Sequence, residues 1–183
     1  MACFPIAVYP PLKKLSAPTV YLTFTTIASL SNYLVFTISA IYRVSIAGLD
    51  PFQLVLTGTV TQATVFLCEL PTGILADVYS RRLSIVIGTG LIGVGYLLEG
   101  MMPVFSAILF AQIIWGIGYT FISGAQQAWI ADEIGAEAAH QIYLRGSQAS
   151  QVGGFFATFL SVALASDRLG LPLIVAGILY LGL

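Results

Sequence analysis

A small group of charges interrupts two apolar runs in the stretch PTGILADVYSRRLSIVIG, residues 71–88. Asp77 ends the first run, and Arg81 and Arg82 begin the second. Side chains of this kind can anchor a loop to anionic lipid headgroups, or they can hold helix ends together by charge-assisted hydrogen bonds. Gly73, four residues before the aspartate, would let another helix approach closely. The group is therefore the first candidate for a functional contact.

Isolated carboxylates provide the next candidates. Glu69 lies late in a long apolar run, in FLCELPTG. A carboxyl group shielded from water is easier to protonate, which a proton carrier requires. The alternative is that Glu69 lies at the cytoplasmic end of its helix and pairs with an arginine. Asp132 and Glu133 follow a later apolar run, where we expect a cytoplasmic cap and latch.

Three other charges border the opposite ends of apolar runs. Arg43 and Asp50 flank one turn, and Glu99 ends another run. We expect all three at the membrane interface.

Uncharged polar residues predict a path for a substrate. Gln112, Tyr119 and Gln126 recur every seven residues, a spacing that places them near one face of a helix. Asn32 lies within another apolar run. These residues could line an aqueous cavity, or they could satisfy one another between packed helices. We leave both interpretations open for the amides and favour packing for the serines, threonines and glycines.

The composition excludes most soluble functions. The 183 residues are 58% hydrophobic and 8% charged, with a net charge of −1. A soluble domain carries about 25% charged residues, so the chain is predicted to be an integral membrane protein that does not bind nucleic acid. The single histidine, His140, has no partner for a metal site or a catalytic triad. GTGLIG at 88–93 lies in an apolar run without the following acidic residue of a dinucleotide site. We expect no enzyme activity, metal or cofactor.

The elements that must position these residues are predicted from the gaps between charges. A bilayer core takes about 20 apolar helical residues, and the apolar runs do not alternate as barrel strands do. We predict an all-α membrane bundle at residues 19–183 behind a cytoplasmic tail at 1–18. The predicted helices cover residues 19–42, 52–75, 83–99, 104–130, 147–166 and 171–183.

The last helix and the orientation complete this prediction. LPLIVAGILYLGL has 13 residues, or about 20 Å of helix against a core of about 30 Å. We therefore expect an incomplete sixth helix and a chain that is a fragment. Lysine and arginine are more frequent in the loops on the side of the N-terminus, which predicts a cytoplasmic N-terminus in a multi-pass protein of the inner (plasma) membrane.

The stretch GILADVYSRR resembles the loop signature between the second and third helices of the major facilitator superfamily. Gly73, Asp77, Arg81 and Arg82 match that signature, whereas Val78 and a serine replace a basic residue and a glycine. ELPTGILADVYSRR and the later GYTFISGAQQAWIADEIG are similar to segments of bacterial drug-efflux-like members. The resemblance covers essentially the whole chain, as the N-terminal half of a twelve-helix fold.

The resemblance implies a secondary transporter that exports a small organic molecule by alternating access, coupled to protons. It implies that Asp77 and Arg81 are gating residues that contact the other, C-terminal half of the transporter. Two alternatives stay open: a self-contained small membrane protein that transports as a homodimer, and a membrane scaffold without transport activity.

Overall fold

A computed structural model describes residues 16–183 as a bundle of seven α-helices, and no β-strand occurs in this range. The predicted tail lies mostly outside the described residues, and its last positions already belong to the first helix. The helices are α1 (Ala17–Ser45), α2 (Pro51–Val78), α3 (Arg81–Met101), α4 (Phe105–Ile122), α5 (Ala125–Ile134), α6 (Ala136–Asp167) and α7 (Leu171–Leu181).

Helices long and apolar enough to cross a bilayer dominate the bundle. α1, α2, α3 and α6 each qualify, and α4 with α5 forms a fifth segment, Phe105–Ile134. α7 is apolar but shorter. The prediction of an all-helical protein with the character of a multi-pass membrane protein is confirmed.

Polar caps fix where several helices begin. The Asp50 carboxylate accepts the backbone N–H of Gln53 at 2.8 Å, and the Gln53 side chain accepts the N–H of Asp50 at 3.1 Å. Pro51 follows the cap at the first helical position, where its missing N–H costs nothing. Asp50, expected only at the interface, therefore starts α2. Ser80 caps α3 in a similar way through its hydroxyl, so only two residues separate α2 from α3.

The single helix expected at 104–130 is wrong: the segment bends and forms two helices. Gly124 has φ +70°, a left-handed conformation that side chains with a Cβ disfavour, and it separates α4 from α5. The apolar pattern runs through the bend without a change, which is why periodicity did not reveal it.

The helix predicted at 147–166 starts at Ala136 instead. Ala139 and Ile142 are buried against α1 and α5, while Glu137, His140 and Arg145 lie on the exposed face. The charges therefore mark the solvated side of a continuous helix and do not mark its end.

Glycines bring α3 close to two neighbours, as expected for membrane helices. A Cβ on Gly88 would lie 2.5 Å from the carbonyl oxygen of Gly118 in α4. A Cβ on Gly93 would lie 3.0 Å from the carbonyl oxygen of Gly177 in α7. α3 is thus the central helix of the bundle, and its two ends carry the charges described next.

Candidate functional site

One cluster of ion pairs joins the α2–α3 turn to α5. The loop cluster consists of Asp77, Arg81, Arg82, Asp132 and Glu133. Arg81 forms an ion pair with Asp132, and its Nη2 also lies 3.4 Å from Asp77 Oδ1. Arg82 forms an ion pair with Glu133. Two adjacent guanidinium groups therefore meet two adjacent carboxylates.

The position of the two carboxylates explains why each of them is paired with an arginine. Asp132 and Glu133 lie in the last turn of α5, where the helix dipole disfavours negative charge. Arg81 also donates to the Ala128 carbonyl oxygen at 3.2 Å, and the Arg82 guanidinium carbon lies 5.9 Å from the centre of the Trp129 ring. Both arginines thus complement the C-terminal end of α5.

Most of the loop cluster is accessible to solvent. The Asp77 side chain is 70% exposed, and Asp132 is 64% exposed. Such pairs are held weakly and can exchange partners at low energetic cost. Asp132 and Glu133, where a cytoplasmic cap and latch was expected, pair with the two arginines of the α2–α3 turn.

Gly73, expected to allow the close approach of another helix, makes no such contact with the described residues. A Cβ added there would meet no atom within 4 Å among the described residues. This face of α2 is open in the bundle.

A second cluster, at the other end of α3, is buried. The buried cluster consists of Arg43, Thr61, Glu99 and Gln112, one residue from each of α1 to α4. Arg43 Nε donates to Glu99 Oε1 at 2.7 Å and Arg43 Nη2 donates to Glu99 Oε2 at 3.1 Å. The side chain of Glu99 is 1% exposed and that of Arg43 is 16% exposed. Both residues were expected at the interface; the structure adds that Glu99 is enclosed by the bundle and paired with Arg43.

Neutral groups complete the coordination of the Glu99 carboxylate. Gln112 Nε2 donates to Glu99 Oε2 at 2.7 Å. The Gln112 oxygen in turn accepts the hydroxyl of Thr61 at 2.8 Å. A buried carboxylate is tolerated only when it is paired and hydrogen-bonded in this manner.

A cavity of about 320 Å³ opens beside the buried cluster. All four cluster residues line it, together with apolar and polar groups of α1 to α4. The other lining residues are Val35, Phe36, Ser39, Gly58, Gln62, Tyr96 and Trp115. Aromatic walls with a few convergent polar groups are typical of a small-molecule site.

A larger groove of about 840 Å³ lies toward the loop cluster. Its walls are mainly apolar, from α1, α3, α5 and α7, and Arg82 and Glu133 lie at its edge. Gln126 lines this groove and donates to the hydroxyl of Thr25 at 2.8 Å.

The predicted polar stripe is divided by the bend at Gly124. Gln112 faces the buried cluster, whereas Gln126 faces the groove. Tyr119 is 44% exposed and lines neither cavity. Its ring stacks on that of Trp115, with the ring centroids 5.4 Å apart. The stripe therefore does not form one continuous face.

Asn32 lies between the two cavities and lines neither. Its side-chain oxygen accepts the hydroxyl of Tyr96 at 2.7 Å and that of Tyr180 at 3.1 Å. These two hydrogen bonds tie α1 to α3 and α7.

Glu69 is exposed on α2 and forms no ion pair with the described residues. The shielded carboxylate of the bundle is Glu99. The sequence contained one indication of this pair. Arg43 and Glu99 carry opposite charges and lie near the ends of the first and third helices, which run in the same direction across a membrane. Periodicity within one helix does not contain that information.

No model of a known protein family matches the chain, and no curated protein sequence matches it. The two clusters and the two cavities are the features of the described residues that bear on function.

Proposed function

We propose that this chain is the N-terminal half of a secondary active transporter of the major facilitator type. In this proposal the bundle pairs with a second, C-terminal bundle and moves a small organic molecule by alternating access, coupled to protons. The resemblance to efflux proteins implies export from the cytoplasm. The loop cluster would lie at the cytoplasmic face of the inner membrane.

The observation that carries the proposal is the loop cluster itself. Alternating access needs a contact at one end of the bundle that forms and breaks as the other end opens. The α2–α3 turn and α5 are joined by exposed ion pairs, and Arg81 divides its donors among Asp77, Asp132 and a backbone carbonyl. A guanidinium shared among acceptors can pass to another one with little change in energy.

The exposure of Asp77 supports a partner bundle. Its carboxylate makes only the 3.4 Å contact with Arg81 among the described residues and is 70% exposed. The neighbouring face of α2 around Gly73 is open, so a second helix has room to approach. The two cavities support the proposal in a further way, since they lie toward opposite ends of α3 and could open in turn.

Site-directed labelling tests alternating access without knowledge of the substrate. A protein produced from its complete gene, with its native cysteines replaced by serine, receives one cysteine at Ser39, in the smaller cavity, or at Val86, in the larger groove. Each variant is labelled in oriented membrane vesicles with a membrane-impermeant maleimide. We expect Asp77→Asn to raise labelling at position 86 and lower it at position 39, because weakening the loop cluster favours the state open at that end.

A matched control removes one exposed carboxylate from the other end of the bundle. Asp167→Asn, at the end of α6, should leave both labelling rates unchanged. Equal membrane insertion of all variants is checked by protease protection. Labelling rates that stay fixed at both positions in Asp77→Asn would refute the gating role and favour a scaffold.

A further inference from the structure

We propose that the cavity beside the buried cluster binds a small organic monocarboxylate, and that the anion binds together with one proton taken up by Glu99. This inference rests on the proposed function for alternating access, whereas the binding site itself rests on the geometry of four helices.

The guanidinium of Arg43 is the group that an anion would meet. Its Nε and Nη2 atoms are bonded to Glu99, but Nη1 forms no hydrogen bond with any described residue. The planar fork of arginine binds carboxylates through two parallel hydrogen bonds. Arg43 is also the more exposed member of the pair, at 16% against 1%. Arg43 lines the cavity, and we take its unused Nη1 donor as the group offered to a ligand there.

An organic cation is a poorer fit to the same cavity. It would have to reach the Glu99 carboxylate, which already accepts two N–H groups of Arg43 and one of Gln112. Binding a cation would require displacement of an arginine that is covalently held in place, whereas an anion needs only an unused donor.

Charge balance requires a proton with the anion. Arg43 and Glu99 together are neutral, so an anion bound beside them would leave one uncompensated negative charge in a bundle surrounded by lipid. Burying such a charge is expensive unless it is neutralised. Protonation of Glu99 restores neutrality and leaves Arg43 free to bind the ligand through either edge of its guanidinium.

Aromatic side chains set the class of the ligand. Phe36, Tyr96 and Trp115 line the cavity, and Ser39 and Gln62 add polar groups. The ring of Phe36 packs edge-on against the ring of Trp115, with the ring centroids 6.0 Å apart. A flat apolar body would contact these walls while its carboxylate meets Arg43, so an aryl or short alkyl monocarboxylate fits best.

Among residues 16–183, no other side chain near Glu99 should change charge between about pH 6 and about pH 8. α1 contributes Arg43 and Tyr42, whose hydroxyl donates to the Glu99 carbonyl oxygen at 2.8 Å, and α3 contributes Tyr96. α2 and α4 contribute the neutral Thr61 and Gln112 to the same cluster. A proton linked to anion binding in this range therefore belongs to Glu99.

Joint binding predicts that anion and proton cross the membrane in the same direction. Uptake of the anion together with protons would replace the proton-coupled export that the sequence resemblance implies. An inward proton gradient would drive uptake of the anion.

Tryptophan fluorescence provides a direct test, because the chain has two tryptophans and only Trp115 lines this cavity. In the protein produced from its complete gene, Trp129 and any tryptophan outside residues 1–183 are replaced by phenylalanine, which leaves Trp115 as the reporter in the purified protein in detergent. Phenylacetate is titrated at about pH 6 and about pH 8, where a carboxylate probe stays ionised, with the neutral phenylacetamide as its isostere. We expect phenylacetate to bind more tightly as the pH falls, approaching about tenfold per pH unit for one linked proton.

Glu99→Gln distinguishes this role from a structural one. The substitution leaves Arg43 without its counter-charge, so phenylacetate should bind more tightly than in the parent at about pH 8 and should lose its pH dependence. Arg43→Gln combined with Glu99→Gln should abolish binding of the anion. Arg168→Gln removes an exposed arginine near the same end of the bundle and should change nothing.

Equal affinity for phenylacetate and phenylacetamide would overturn the anion site. If the pH dependence of binding persists in Glu99→Gln, the proton does not belong to Glu99. If the pH dependence is instead lost in Glu69→Gln, Glu69 is the residue that takes up the proton. Failure of the proposed function has a different signature: anion binding would be intact while the labelling of positions 39 and 86 did not respond to Asp77→Asn. Labelling that responds in a protein that does not bind the anion would refute the present inference alone.

Discussion

The ion pair between Arg43 and Glu99 should be the most strongly coupled pair of side chains in the bundle. Replacing Arg43 by glutamine leaves the Glu99 carboxylate, 1% exposed, with Gln112 as its remaining side-chain donor. Removing one partner of a buried pair costs about 3–5 kcal/mol, and we expect a loss of that size in the free energy of unfolding.

The reverse substitution should cost less. Glu99→Gln leaves Arg43 charged, but its side chain is 16% exposed and lines the cavity, where water can solvate it. We expect a loss of about 1–3 kcal/mol, the range for an unsatisfied buried polar group. In the double variant neither site carries a charge, so its loss should be smaller than the sum by a coupling energy of about 1–3 kcal/mol.

Reversible unfolding in mixed micelles of a mild detergent and sodium dodecyl sulfate, followed by far-ultraviolet circular dichroism, measures these values. Asp167→Asn and Arg168→Gln form a matched cycle on exposed residues at the end of α6 and should show no coupling. If the losses from Arg43→Gln and Glu99→Gln add to within about 0.5 kcal/mol, the two side chains do not interact as described.

Two further predictions concern the glycines that shape the bundle. A Cβ on Gly118 would lie 2.8 Å from the Gly88 carbonyl oxygen and 2.9 Å from the Ile92 backbone nitrogen, so Gly118→Ala should lower the unfolding free energy. The loss should be about 1–3 kcal/mol, as for other overpacked contacts. Gly90→Ala in α3 has open space and should be neutral or slightly stabilising in the same unfolding measurement; an equal loss in both variants would contradict the close α3–α4 contact. Gly124→Ala forces a Cβ into a left-handed conformation at φ +70° and should cost about 1–2 kcal/mol, and an unchanged midpoint of thermal unfolding would show that the bend tolerates a side chain.

Much of the fold followed from the sequence because lipid imposes a simple rule. A membrane segment must be apolar and must satisfy its own backbone, so the gaps between charges predict helices and their approximate limits. The prediction was good where a cap coincided with a charge, as at Asp50. It failed at Gly124 and at the start of α6, where the backbone bends or continues without a change in hydropathy.

The two candidate sites also differ in how far the sequence predicts them. The loop cluster could be predicted because Asp77, Arg81 and Arg82 are close together in the chain and lie at a turn. Its partners on α5, Asp132 and Glu133, could be assigned to the same end of the bundle from the count of helices alone.

The buried cluster was decided by the tertiary structure. Arg43 and Glu99 are 56 positions apart, and nothing in the run around either residue distinguishes an interfacial charge from a paired one. The sequence by itself determined that the chain belongs in lipid, as helices with charged ends, because transfer of each segment out of water depends on that segment alone. Only the packing of four helices decided which charges meet and where a cavity is left beside them, because those contacts depend on the distances between helices.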